Sequence, residues 1–257
     1  MADDNLRETD LPKKQSSVLN IKWSARDAVI SLVFLAVVLV AIYFGSAKLF
    51  EVLGGKQFFN SSNISNVSFT VLYGVQVVLI LGVVWFFAIL RRKSRLKDLG
   101  LRYYSIAKTI WYSFISLLAI FLVSFLYVFL MNSFFGIEAP SSKIEILVAN
   151  RSISSNILLV VVAVVAPFSE EIFFRGFLYS AFKKSWGVNA ALFLSSLFFA
   201  VVHLELYSFI PLMIIGWILA YLFEKTKSLM PAIFLHGVYN LILILILLGQ
   251  LEIIKLY

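Results

Sequence analysis

Seven apolar stretches, each near the roughly 20 residues needed to cross a bilayer core, run through a chain of 257 residues. They are expected near 28–50, 67–90, 109–135, 156–182, 188–204, 206–223 and 229–249. Within lipid a backbone must satisfy its own hydrogen bonds, which leaves helices for segments of this length. The expected fold class is an all-α membrane protein, a polytopic bundle of about seven transmembrane helices. Composition agrees: 61% of residues are hydrophobic and 14% charged, against about 25% charged in a soluble domain. The absence of cysteine excludes disulfides, thiolate metal sites, cysteine nucleophiles and cysteine lipid anchors. Asp27 stands at the mouth of the first run and no small-residue cleavage signature follows it, so this run reads as a retained helix and not a signal peptide. The fifth and sixth runs are short and are joined only by "HLELYSFIP". Tilted helices with a connection partly inside the bilayer are therefore an alternative there.

The net charge of +8 is explained by where the cations fall. Five Lys or Arg lie in the N-terminal tail, seven in the second connection between Arg91 and Lys108, and two each at Lys183/Lys184 and Lys225/Lys227. Those sixteen share one side, against Lys48, Lys56, Lys143, Arg151 and Lys255 on the other. The positive-inside rule then places the N-terminus in the cytoplasm of a multi-pass protein, with the plasma membrane as the expected location. No nucleic-acid partner is needed to account for the charge; the partners expected are the lipid bilayer and a substrate, and the sequence leaves oligomeric state open. Trp23, Trp85, Trp111 and Trp186 fall at the expected cytoplasmic ends of spans, as an aromatic belt requires, while Trp217 is assigned to packing. The chain divides into a polar, disordered cytoplasmic tail (1–26), N-terminal transmembrane helices (27–135) and a C-terminal core of four helices (150–249). Asn60, Asn63, Asn66 and Asn150 each open an Asn-x-Ser sequon on the expected outer side, relevant only in a glycosylating host.

An ionisable side chain deep in a spanning helix costs about 2.5–3.5 kcal/mol even on the lenient insertion scale, so each one demands a reason. The first three spans carry almost none. The exceptions are "APFSEEIFFRGFLYSAF" with Glu170, Glu171 and Arg175, "FFAVVHLEL" with His203, and "PAIFLHGVYN" with His236 and Asn240. Both histidines of the protein belong to this set. Glu171 and Arg175 are four apart on one helical face, in the favourable order for an ion pair. Glu170 points about 100° away and must find its partner on another helix, with His203 and His236 as the available donors. Glu205, close to His203 but near an interface, reads as solvated. Pro231 suits the first turn of a helix, and Pro167 and Pro211 a kink or helix start.

Two chemistries suit such a set. In one, Glu170 is general base on a water held with His203, while His236 and Asn240 donate hydrogen bonds to the oxyanion of a peptide carbonyl. In the other, Glu170, His203 and His236 ligate a single zinc that activates the water. Both end in amide hydrolysis. The compact HExxH helix of ordinary zinc proteases is absent, so nothing local demands a metal, and the cofactor expectation is none or one zinc.

The segments "EEIFFR", "FAVVH" and "HGVYN", in this order on successive late spans, resemble the three motifs of the CPBP family. That group contains the CAAX prenyl endopeptidases of Rce1 type and the bacteriocin-processing or bacteriocin-immunity proteins, also called the Abi family. The resemblance covers roughly 150–245 and no motif residue is missing. It implies an α-helical intramembrane protease in which Glu170 and His203 match the water-activating pair and His236 and Asn240 the oxyanion stabilisers. Glu171 and Arg175 match the remaining positions of the first motif. The expected substrate is a hydrophobic peptide or a membrane-anchored protein. The alternatives are a non-catalytic adaptor or immunity protein of the same fold, and a small transporter relaying protons through the buried Glu and His, although no repeated halves are visible. One tension follows from helix geometry. With alternating spans, His203 should lie about 22 Å and His236 about 10 Å from the cytoplasmic starts of their helices. Strong tilt, or a dipping connection between spans five and six, is needed to bring them level.

Overall fold

The computed structural model describes residues 19–52, 62–140 and 153–254, and among them the regular structure is helical. Helix α1 is Ala25–Val52 and α2 is Ser62–Val84, extended by a wider π-helical turn over Trp85–Arg91. After a short 3₁₀ turn (Leu96–Leu99), α3 runs over Ile106–Phe135 and stops at Gly136, whose left-handed conformation (φ 61°) returns its own N–H to the Asn132 carbonyl and that of Ile137 to the Met131 carbonyl. A continuous run over Ser155–Val202 breaks at Gly187 into α4 (155–186) and α5 (188–202). The chain closes with α6 (Phe209–Thr226) and α7 (Met230–Ile254).

Six segments are long and apolar enough to cross a membrane. The fourth is 48 residues long and bent at Gly187, so the expected seven helices correspond to six spans with one broken in two. Gly187 adopts φ 85°, ψ 176°, a region essentially confined to glycine. Its break leaves α5 only 15 residues, about 22 Å at 1.5 Å per residue, short of the roughly 30 Å hydrocarbon core. The helix ends at His203 and the chain reverses through Leu204, a non-glycine residue at φ 53°. Leu204 and Leu206 in this turn are 80% and 93% exposed, as suits a connection that faces lipid.

The basic segments meet at one end of the bundle. Arg92 forms a two-pronged contact with Asp27 (Nε and Nη2, 3.0 Å each), and Lys22 donates to the Lys93 carbonyl. Arg102 donates to the Lys227 carbonyl at 2.6 Å, and Lys183 and Lys227 both pair with Glu224. The side chains of the five cations expected at the opposite end lie outside the described residues, as do Asn60, Asn150 and the first 18 residues of the tail.

Two aromatic assignments change. Trp23 is no belt residue: it is fully buried, donates its indole N–H to the Phe177 carbonyl (2.8 Å) and stacks on the Phe177 ring. The tail therefore gives way to packed chain before residue 26. Trp217, assigned to packing, is 41% exposed and lines a shallow apolar groove with Ile210 and Ile214. Trp85, Trp111 and Trp186 are each more than half exposed, as an interfacial belt needs.

Burial concentrates in α4 and α5. Within the apolar window of their run 61% of residues are buried, against 6% in α3, so α3 mostly faces lipid while α4 forms the centre on which the site is built.

Candidate functional site

Helix α4 carries both glutamates and the arginine, and its backbone is unusual around them. The ordinary α-helical stretch Ala166–Glu171 is flanked by π-helical segments, Val161–Val165 before it and Ile172–Tyr179 after it. Pro167 has no N–H to offer the preceding turn, which accounts for the widening just upstream. Such π-turns recur at functional sites, because they shift the register of the side chains that follow.

Glu171 and Arg175 form the pair expected from their spacing, Nη1 to Oε1 at 2.6 Å, with both side chains fully buried. Arg175 also donates Nη2 to the Gly216 carbonyl of α6 at 3.0 Å and lies 4.5 Å above the Phe199 ring of α5. One guanidinium thus ties α4 to two neighbouring helices. Glu171 is not saturated by it: the same Oε1 accepts a hydrogen bond from His236 Nδ1 at 2.9 Å. The sequence reading paired Glu171 with Arg175 alone; the structure adds His236 to that pair, while the same ring also lies beside Glu170 as an available donor. Helical spacing fixes the intrahelical neighbour and says nothing of which oxygen faces α7. Among the described residues Glu171 Oε2 and Arg175 Nε are buried with no hydrogen-bond partner, so the cluster retains polar capacity for a further polar group.

A carboxylate only accepts, so His236 Nδ1 carries the proton and Nε2 points away from Glu171. Nε2 lies 4.0 Å from Glu170 Oε2, too long for a direct hydrogen bond and suited to a bridging water. Glu170 remains 15% accessible, whereas Glu171 is sealed. The two adjacent acids therefore face different surroundings: one is sealed within the bundle and the other keeps accessible surface.

His203 sits at the end of α5, its Nδ1 2.6 Å from the Phe199 carbonyl of the previous turn. Since that carbonyl can only accept, Nδ1 donates and Nε2 presents its lone pair. Phe199 joins the two imidazoles: its ring centroid is 4.7 Å from that of His203 and 5.7 Å from that of His236. Contact with one ring brings the two imidazoles level, against the expected mismatch in depth.

Asn240, one turn beyond His236, donates Nδ2 to the Val162 carbonyl at 2.9 Å. That bond spans α7 to the π-segment of α4 and uses one of the two amide hydrogens, leaving the second. The close approach depends on Gly237, where a Cβ would lie 2.6 Å from the Ala163 carbonyl oxygen. Glu205 is partly buried in the turn after His203, with no contact to these groups described.

Among the described residues no group of three His, Cys, Asp or Glu side chains is placed to hold a metal ion. His203 and His236 share the Phe199 ring, Glu170 lies beside His236, and Asn240 ties α7 to α4 at Val162, with Glu171 and Arg175 sealed behind His236.

A buried acid–imidazole cluster within an all-helical, multi-pass bundle defines a class of membrane-embedded proteins with a polar centre. Residues 152–242 match the family described as "Type II CAAX prenyl endopeptidase Rce1-like", a likeness consistent with the CPBP resemblance of the three motifs. Over 101 residues it is 29% identical to the "Putative membrane peptidase YdiL" of Bacillus subtilis (strain 168), covering 39% of this chain and 40% of that protein. Over 87 residues it is 32% identical to the "UPF0177 protein YbdI" of Lactococcus lactis subsp. lactis (strain IL1403), covering 34% of this chain and 46% of the relative. The chain thus spans less than half the length of these curated relatives. No solved structure matches it.

Proposed function

We propose that the protein is an intramembrane endopeptidase that hydrolyses one peptide bond in a hydrophobic or membrane-anchored peptide entering from the bilayer. Glu170, with His203, takes a proton from a water whose oxygen attacks the scissile carbonyl carbon. His236 takes part as the imidazolium, its Nδ1–H held by Glu171 and its Nε2–H donated to the oxyanion together with the second amide hydrogen of Asn240. The proton held by Glu170 passes to the departing amine as the C–N bond breaks. Glu171 and Arg175 act as positioning residues, fixing the His236 ring. The observation that carries this reading is the Glu171–His236 hydrogen bond at 2.9 Å, which leaves Nε2 a water's width from Glu170. The wider cluster counts as support, since a merely structural Glu–Arg pair needs no second acid or imidazole beside it. In the proposed orientation the N-terminus and the basic end are cytoplasmic, in the plasma membrane.

The test uses purified protein in liposomes with two internally quenched peptides, one farnesylated at cysteine and one with an unmodified hydrophobic anchor. Glu170→Gln and His203→Ala are expected to lower turnover at least 10³-fold, and His236→Ala about 10²–10³-fold, the cost of losing an oxyanion donor. Cellular function that survives all three substitutions would establish the adaptor reading instead. Because the chain has no cysteine, Lys97→Cys offers a single site for a membrane-impermeant maleimide; labelling from outside intact cells would reverse the orientation.

A further inference from the structure

One side chain from outside residues 152–242 reaches this cluster. Helix α2 turns a single stripe inward: Phe69, Tyr73, Val77 and Ile80 are partly or fully buried, while Val71, Val75 and Val78 between them are exposed. That three-to-four spacing is the face a helix lays against its neighbours. Tyr73 packs on the apolar cluster containing Val161 and Val162, and Val162 provides the carbonyl that holds Asn240. The same helix packs against Ala166–Glu171, and the phenol lies within electrostatic range of the Glu170 carboxylate. No hydrogen bond joins the two. Among the described residues the Tyr73 hydroxyl takes no hydrogen-bond partner at all. A buried phenol is ordinarily satisfied; the Tyr73 hydroxyl is not among the sealed partnerless atoms, so it keeps accessible surface from which to donate.

We propose that Tyr73 is a positioning residue of the hydrolytic site, its hydroxyl donating a hydrogen bond to the water that Glu170 deprotonates. The inference rests on the proposed endopeptidase reading. One lone pair of the water oxygen accepts from Tyr73, one hydrogen goes to Glu170, and the remaining lone pair attacks the carbonyl carbon; the phenol keeps its own proton throughout. The first three helices would then contribute to chemistry as well as to anchorage, and the region matched to the family would be an incomplete site without them.

Tyr73→Phe keeps the ring and its packing and removes only the oxygen. In the liposome assay, with whichever quenched peptide is cleaved faster, it should lower kcat ten- to hundredfold and leave KM within twofold, as expected when a reacting group is misplaced and binding is intact. A double-mutant cycle with Glu170→Asp separates chemistry from structure. If both groups hold one water, Tyr73→Phe should cost several-fold less in the Glu170→Asp background than in the wild type, whereas a structural role would give equal factors. Full activity of Tyr73→Phe beside an inactive Glu170→Gln, or equal factors in the cycle, overturns the Tyr73 proposal alone. Undiminished activity of Glu170→Gln overturns the endopeptidase reading beneath it. Should Tyr73→Phe fail to fold, 3-fluorotyrosine at position 73 retains both ring and hydroxyl with altered acidity; an unchanged kcat there also counts against the proposal.

Discussion

Two carboxylate–arginine contacts in this bundle are made of the same chemistry and do different work. Asp27 on α1 is buried, but its partner Arg92 is 36% exposed at the basic end, and Asp27 also accepts from the Ser24 backbone N–H. Glu171 and Arg175 are both fully sealed, at 2.6 Å, in the middle of α4. The first contact has water to fall back on when broken. The second has only the Gly216 carbonyl, the Phe199 face and His236. The contrast shows why a sealed pair is retained: its value lies less in stability than in the direction it gives the His236 ring, since a buried pair seldom gains much over an apolar replacement.

Breaking each pair in turn tests that contrast. Arg175→Ala should have the largest effect, leaving a buried carboxylate without its cation at a cost of about 3–5 kcal/mol; a thermal-unfolding midpoint in detergent close to that of the wild type would contradict it. Gly237→Ala comes next. A methyl group 2.6 Å from the Ala163 carbonyl oxygen forces α7 from α4 at about 1–3 kcal/mol and draws His236 away from Glu171, so cleavage should fall further than stability does. Arg92→Gln should cost about 1 kcal/mol or less with turnover unchanged, because the exposed partner of Asp27 is readily replaced by water; raised salt should weaken this contact and leave the Glu171–Arg175 pair untouched. Smallest of all, Lys225→Gln removes a cation 4.4 Å from the Tyr112 ring, worth about 0.5 kcal/mol at an exposed position. Equal losses from Arg175→Ala and Arg92→Gln would remove the distinction between the two regions.

Much of this was legible in the sequence, and the limits have physical causes. The apolar runs located the spans, because hydrocarbon thickness imposes length on any helix that crosses it. The cost of polar groups in lipid singled out Glu170, Glu171, Arg175, His203, His236 and Asn240, which the structure gathers into one region. The pairing between helices was not legible: which glutamate meets His236 depends on how α7 lies on α4, and that depends on a glycine contact with no local signature. Trp23 illustrates a second limit, since a tryptophan near a span terminus reads the same whether it faces headgroups or fills a core. Tyr73 illustrates a third, standing in an apolar run with no motif around it and acquiring its proposed role only from the helix it faces.

The break at Gly187 has a consequence for the surrounding lipid. An arm about 22 Å long that ends in a leucine-bearing turn cannot match a full-thickness bilayer, so the acyl chains beside α5 must shorten or splay to meet it. The protein would carry its own patch of thinned membrane next to the imidazole of His203, and bilayers of longer or shorter acyl chains should tune how easily water and a peptide backbone reach that depth.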